Sequence, residues 1–296
     1  MNKTVLALSF SAIFLLSACD DKQVAELQQK LQQAEKMQQS QQQEINQLQN
    51  ELNAQKSLFP ALQVEISPLF QKEETLTLKN TDSTATVKVS VSMPETHIEW
   101  LDELLRQYWG RYIQYEKGNE EPKLTAITQD QLKKSLEQIY QEYREEILTE
   151  GTIGKDFSIS PYYLGQRQNW LGFRVSIYNY GGGAHGFNMS HYLNVDVQQK
   201  SLITLEKLVA QENQAALLDA LWKIYTQDLA KGEEPFTSRD LFYISPEFYF
   251  DQEGVHFVYP PYALNSYAEG ERTLDLYWGQ TEIDLLNPEY VKPWLK

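Results

Sequence analysis

The residues with chemical potential are few and widely spread. The chain has 4 His and 1 Cys in 296 residues. A single Cys excludes an internal disulfide framework and any zinc site built on several thiolates. Four His leave little room for a His-rich metal centre, and neither a metal nor a cofactor is expected. His185 closes the run Gly181-Gly182-Gly183-Ala184-His185-Gly186, and His191 follows six residues later. A general base needs a nucleophile or water within hydrogen-bond reach. On paper Ser190, His185 and Asp196 make a triad, yet neither Gly-x-Ser-x-Gly nor His-Glu-x-x-His occurs. Successive glycines permit positive φ and close backbone approach. Two readings of the run stand open: a wide turn that fixes strand register, or a ligand rim formed by Gly182, Gly183 and Gly186 with His185 as its polar handle. It is not a phosphate loop, because no Lys-Ser/Thr follows and no helix starts there. A second candidate surface is Tyr259-Pro260-Pro261-Tyr262, where two prolines pre-order a loop and Tyr259 and Tyr262 supply rigid contact area.

The elements that must position these groups read as α+β. Val87, Val89 and Val91 alternate with Thr86, Lys88 and Ser90 as in a half-buried strand. Leu101, Leu104, Leu105, Tyr108 and Tyr112 form one helical stripe; Leu132, Leu136, Ile139, Tyr140, Tyr143 and Ile147 form another. Gly151 and Gly154 end the second helix. Leu171, Phe173, Val175 and Ile177 alternate before the glycine run, and His191, Leu193, Val195 and Val197 after it. A helix centred on Leu217, Leu221 and Ile224 is expected to stop at Gly232, and the remainder is strand-like. Without regular βαβ alternation, mainly antiparallel sheets with packed helices are expected.

The N-terminus has a different character. Lys3 precedes an apolar run from Val5 to Leu16, too short for a bilayer of ~30 Å and suited to a signal-peptide core. The following Leu16-Ser17-Ala18-Cys19 resembles the lipobox of bacterial lipoproteins. The resemblance implies cleavage before Cys19, acylation of that residue and stable anchorage in a lipid bilayer. Asp20 and Asp21 resemble the inner-membrane retention signal of enteric-type lipoproteins. Residues 22–57 are Gln-rich and lack Gly, Pro and aromatic residues. Heptad positions a (Val24, Leu31, Gln38, Ile45, Leu52, Phe59) and d (Leu27, Ala34, Gln41, Leu48, Gln55) are mostly apolar, which predicts a coiled-coil stalk and a homo-oligomer. The alternative is a monomeric Gln-rich spacer. The expected organisation is 1–18 signal peptide, 19–57 lipidated Cys and stalk, 58–165 an N-terminal α+β part, and 166–296 a C-terminal α+β domain.

Charge narrows the partners. With 26 Lys+Arg against 41 Asp+Glu the chain carries −15 at pH 7, so nucleic acid is excluded as a partner. Beyond the stalk there are 35 acidic and 21 basic residues, so the charge belongs to the body. Tyr178–Gly186 with Leu202–Leu208, and Phe248–Phe257 with Tyr259, Tyr262, Tyr267 and Gly270, together resemble the extracytoplasmic domain of RsiV-like proteins. The same module occurs in PdaC-type peptidoglycan deacetylases. The resemblance implies an external module that is noncatalytic or of unassigned role, with a binding surface of the kind that takes lysozyme in RsiV. The acidic body suits a cationic protein such as lysozyme; peptidoglycan is the other expected target, and the periplasm the expected side of the membrane. The resemblance does not extend to sigma control, since no cytoplasmic sigma-binding segment is present. Two other functions compete: an envelope glycan or ester hydrolase using His185, and a structural envelope spacer.

Overall fold

The computed structural model describes residues 21–57, 61–79, 82–118, 123–227, 229 and 233–295. Cys19, Asp20, the expected signal peptide and Gly232 lie outside them. Contacts divide the chain into Met1–Leu58 and Phe59–Lys296. The first unit contributes one helix, α1 (Asp21–Ser57). Its seam residues Leu31, Ile45 and Leu48 are exposed.

The second unit opens with β1 (Glu65–Thr77) and β2 (Thr84–Glu95), an antiparallel pair. The alternation read in β2 is realised: Ala85, Val87, Val89 and Val91 are buried. Helices α2 (Glu99–Glu116) and α3 (Gln129–Glu150) follow. α3 starts at a reciprocal capping box between Thr128 and Gln131 and ends at Gly151 with φ 74°, and its six buried residues are those of the sequence stripe. In α2 the buried face is Leu101, Leu105, Trp109, Tyr112 and Ile113. The expected stripe is therefore rotated toward Trp109, whose Nε1 donates to Ser92 O at 2.7 Å and ties the helix to β2.

β3 (Gly154–Arg167), β4 (Trp170–Tyr180), β5 (Phe187–Asp196) and the short β6 (Ser201–Leu202) complete a six-stranded sheet in sequential order. One pairing departs from the antiparallel expectation: β2 and β3 run parallel, with α2 and α3 as the crossover between them. The division placed at 165/166 also falls inside β3, which pairs with β4 along its length. The first core, formed by this sheet with α2 and α3, runs from Leu69 to Val197.

The second core begins near Ile203. It joins α4 (Leu205–Leu208), α5 (Gln211–Thr226) and an antiparallel sheet of β7 (Phe248–Phe250), β8 (Gly254–Tyr259) and β9 (Arg272–Tyr277), with α6 (Pro288–Val291) near the C-terminus. Phe248, Phe250, Phe257, Leu274 and Leu276 are buried there with Leu217 and Leu221. A buried polar bolt joins the two sheets. Trp170 Nε1 donates to Asn194 Oδ1 at 3.0 Å, and Asn194 Nδ2 donates to Phe248 O at 2.6 Å. Trp170 itself packs in the second core, edge-on to Phe250 and Trp294.

Candidate functional site

The glycine run is the β4–β5 turn. Gly182 holds φ 88°, in the left-handed region that only glycine adopts without strain. A Cβ on Gly186 would clash with the hydroxyl edge of the Tyr178 ring. Gly183 accepts a 3.0 Å hydrogen bond from the Tyr180 hydroxyl, which wraps the turn on itself. Gly182 and Gly183 therefore shape the turn, while Gly186 reaches the neighbouring surface.

That surface is an aromatic ledge. The exposed His185 ring stacks on Tyr267 with centroids 4.0 Å apart and planes 24° apart. Tyr262 lies against the same Tyr267 at 5.5 Å, and Phe187 at 6.5 Å. The Tyr267 hydroxyl donates to Gly186 O, which locks the ledge to the turn. Tyr262 is 55% exposed and holds φ 71°. Three expected site residues, His185, Gly186 and Tyr262, thus meet around Tyr267, a ring that sequence spacing does not mark as a site.

Tyr259 does not join them, and its expected role as a loop contact is corrected. It is the last residue of β8, fully buried, with its hydroxyl donating to Tyr243 O at 2.9 Å. Burial drives its phenol pKa well up. Strand alternation turns it into the second core, and the chain emerges only at Tyr262.

The paper triad is not assembled. Among the described residues His185 Nδ1 has one hydrogen-bond contact, the Gly186 carbonyl at 3.0 Å. Ser190 is buried, and its backbone N–H donates to Glu271. Asp196, at the other end of β5, accepts the backbone N–H groups of Gln198 and Gln199.

A groove adjoins the ledge through Phe187. It encloses about 860 Å³ between α2, the sheet face of β4 and β5, and the β6–α4 segment. Its floor is apolar (Ile177, Met189, Leu202, Leu205), and Tyr108, Tyr112 and Tyr115 of α2 form one wall. His191 stacks on Tyr112 at 4.8 Å, and its Nδ1 lies 2.7 Å from Glu247 Oε1. The other Glu247 oxygen accepts the Tyr192 backbone N–H at 2.7 Å. Burial raises the Glu116 carboxyl pKa, although the Tyr143 hydroxyl and Asn179 (2.6 Å) both donate to it. Burial likewise raises Tyr108 and Tyr112, and pushes Tyr192 up to about 12. Among the described residues no group of three His, Cys, Asp or Glu is placed to hold a metal ion.

Sequence reading missed this groove. The i, i+4, i+7 spacing of Tyr108, Tyr112 and Tyr115 was an available signal, but the first two read as core. Nothing in the spacing tied them to Glu247.

The fold and these surfaces define an α+β body with a concave, aromatic-walled face beside an aromatic ledge. Residues 203–279, most of the second core, match the family described as "Protein of unknown function (DUF3298)". No curated protein matches the chain. Among solved structures, a member of the same family from Bacteroides fragilis aligns with 21% identity and a TM-score of 0.60, covering 80% of this chain and 100% of that one. A family protein from Pseudomonas aeruginosa aligns with 14% identity and a TM-score of 0.54, covering 77% and 96%. At these identities the likeness is one of fold.

Proposed function

We propose that the chain is a noncatalytic binding protein of a bacterial cell envelope, anchored in the bilayer by acylated Cys19 and facing the periplasm, with the inner membrane favoured by Asp20. α1 would serve as the stalk, self-associating through its exposed seam, and the body would bind cell-wall glycan. The ledge is the observation that carries this reading. His185 on the glycine turn stacks with the half-buried Tyr267, Tyr262 stands beside it, and the exposed rings of His185 and Tyr262 suit the C–H faces of sugars. Among the described residues His185 has a backbone carbonyl as its hydrogen-bond partner and no carboxylate or hydroxyl hydrogen-bonded to it to support the hydrolase alternative.

Retention of the body on purified peptidoglycan tests the reading. Tyr262→Ala is expected to weaken retention roughly five-fold, the equivalent of losing about 1 kcal/mol of stacking. Unchanged retention in Tyr262→Ala, or no retention of the parent protein, counts against the ledge. The anchor has its own assay: Cys19→Ser should move the protein from the membrane to the soluble fraction.

Lysozyme is a second target, favoured by charge: the body carries 35 acidic against 21 basic residues, and opposite fields raise encounter rates. Salt separates the two. Lysozyme capture should fall steeply as ionic strength rises, whereas stacking on glycan should not.

A further inference from the structure

The groove differs from the ledge in what it offers a ligand. Its three lining carboxylates are already engaged. Glu116 accepts from Tyr143 and Asn179, and Glu247 contacts His191 and accepts from Tyr192. Glu206 is held below its usual range by hydrogen bonds from Thr204 and its own backbone. Two lining cations are not engaged: among the described residues Arg111 and Lys123 form no hydrogen bond or ion pair. Both cations lie beside the apolar floor, in a chain with 15 more acidic than basic residues. Unoccupied polar capacity in the groove is therefore donor capacity, and arginine and lysine donors best suit an anion. The floor of Ile177, Met189, Leu202 and Leu205 removes apolar surface from water and offers a sugar few hydrogen bonds. An enclosed volume of about 860 Å³ lies within the range of small-molecule sites.

We infer that this groove binds an amphipathic anion, an alkyl chain lying on the β4–β5 floor with a single anionic head at Arg111 and Lys123. The site goes beyond the glycan reading and rests on different residues. Phe187 borders both surfaces and is left unchanged in the test.

The test uses the chain from Asp20 to Lys296 in detergent-free buffer, titrated calorimetrically with dodecanoate, dodecanol and dodecylammonium below their aggregation limits. One saturable dodecanoate site is expected, at least ten-fold tighter than dodecanol, with dodecylammonium weakest. Arg111→Gln, an exposed change on α2, should weaken dodecanoate alone, and Arg111→Gln combined with Lys123→Gln should bring it down to the dodecanol level, with dodecanol unaltered in both. Met189→Glu, which places a carboxylate on the floor, should weaken dodecanoate and dodecanol. A dodecyl phosphate arm separates the two natural sources: tighter binding than dodecanoate assigns a phosphate-headed lipid, weaker binding a free fatty acid. Absence of saturable dodecanoate binding, equal affinity for acid and alcohol in the parent protein, or a doubly substituted protein that still prefers the acid overturns the proposal. Peptidoglycan retention is measured on the same variants. Its survival in Arg111→Gln and Met189→Glu keeps the fate of the ledge distinct from that of the groove.

Discussion

Gly254→Ala is expected to lower the thermal midpoint by about 6–12 °C. Gly254 opens β8 opposite Tyr277 of β9, and an added Cβ would overlap the carbonyl oxygen of Leu276 and crowd the Tyr277 Cα. These are backbone atoms in a paired strand, so no side chain can swing aside. Either the β8–β9 ladder parts or β8 shifts within a core that includes the fully buried Val255, Phe257 and Leu276. Overpacking costs about 1–3 kcal/mol, and a backbone obstacle belongs at the upper end. For a body of this size each kcal/mol moves the midpoint by about 2–4 °C. Gly183→Ala is the matched control, because its Cβ meets nothing within 4 Å and its φ is not positive; its midpoint should shift by less than about 2 °C. Calorimetry on both variants decides the matter, and a Gly254→Ala curve superimposable on the control would refute the argument. The consequence reaches the ledge, since β8 leads directly to Tyr262 and Tyr267 precedes β9.

How much of this was legible in the sequence depended on whether an element's environment is local. α3 buries the six residues its spacing indicates, because its apolar positions form one narrow stripe between charged neighbours. β2 is equally plain, as its valines alternate with Thr, Lys and Ser. α2 is apolar on too broad an arc for periodicity to fix its rotation. What fixes it is the Trp109 bond to Ser92, a contact between two elements. The parallel β2–β3 pairing was hidden for the same reason: each strand's alternation is identical whichever way its neighbour runs. At the candidate site the glycine turn was visible as composition and Tyr262 as a proline-ordered corner. Tyr259 misled because its alternation places it indoors, three residues before the chain becomes exposed. The groove joins Arg111 to Met189 and Glu247, and such separations leave no trace in spacing.

The second large effect is a pH dependence centred on His256. The ring is 5% exposed, stacked on Tyr249 at 4.5 Å and held between two carboxylates. Nδ1 is 2.7 Å from Asp275 Oδ1, directly across the β8–β9 ladder. Nε2 is 2.8 Å from Asp251 Oδ1, but it has no well-aligned hydrogen-bond partner, so this second contact is mainly ionic. Burial pushes the imidazole pKa down, and the hydrogen bond and charge of Asp275 together with the adjacent Asp251 carboxylate outweigh it, so the pKa is raised. A raised folded-state pKa stabilises the protein fully below the unfolded value of about 6.5, and that contribution is lost as pH climbs through the folded value. Asp251 acts in the opposite sense. Burial opposes ionisation, but His256 and the backbone N–H groups of Glu253 and Gly254 hold its pKa down. Its contribution is present above the unfolded value of about 3.9 and disappears as pH falls through the lower folded one. Thermal midpoints should therefore peak between about pH 4 and 6.5 and decline on the alkaline side. His256→Gln leaves two carboxylates facing each other without the cation between them. Breaking a fully buried pair costs about 3–5 kcal/mol. The Asp251 and Asp275 side chains are 44% and 33% exposed, so solvent screening reduces this to about 2 kcal/mol, or about 4–8 °C near pH 6. The same substitution should flatten the alkaline decline, because the titrating ring is gone. A His256→Gln protein that keeps the parent slope above pH 6.5 would place the pH sensitivity elsewhere in the fold.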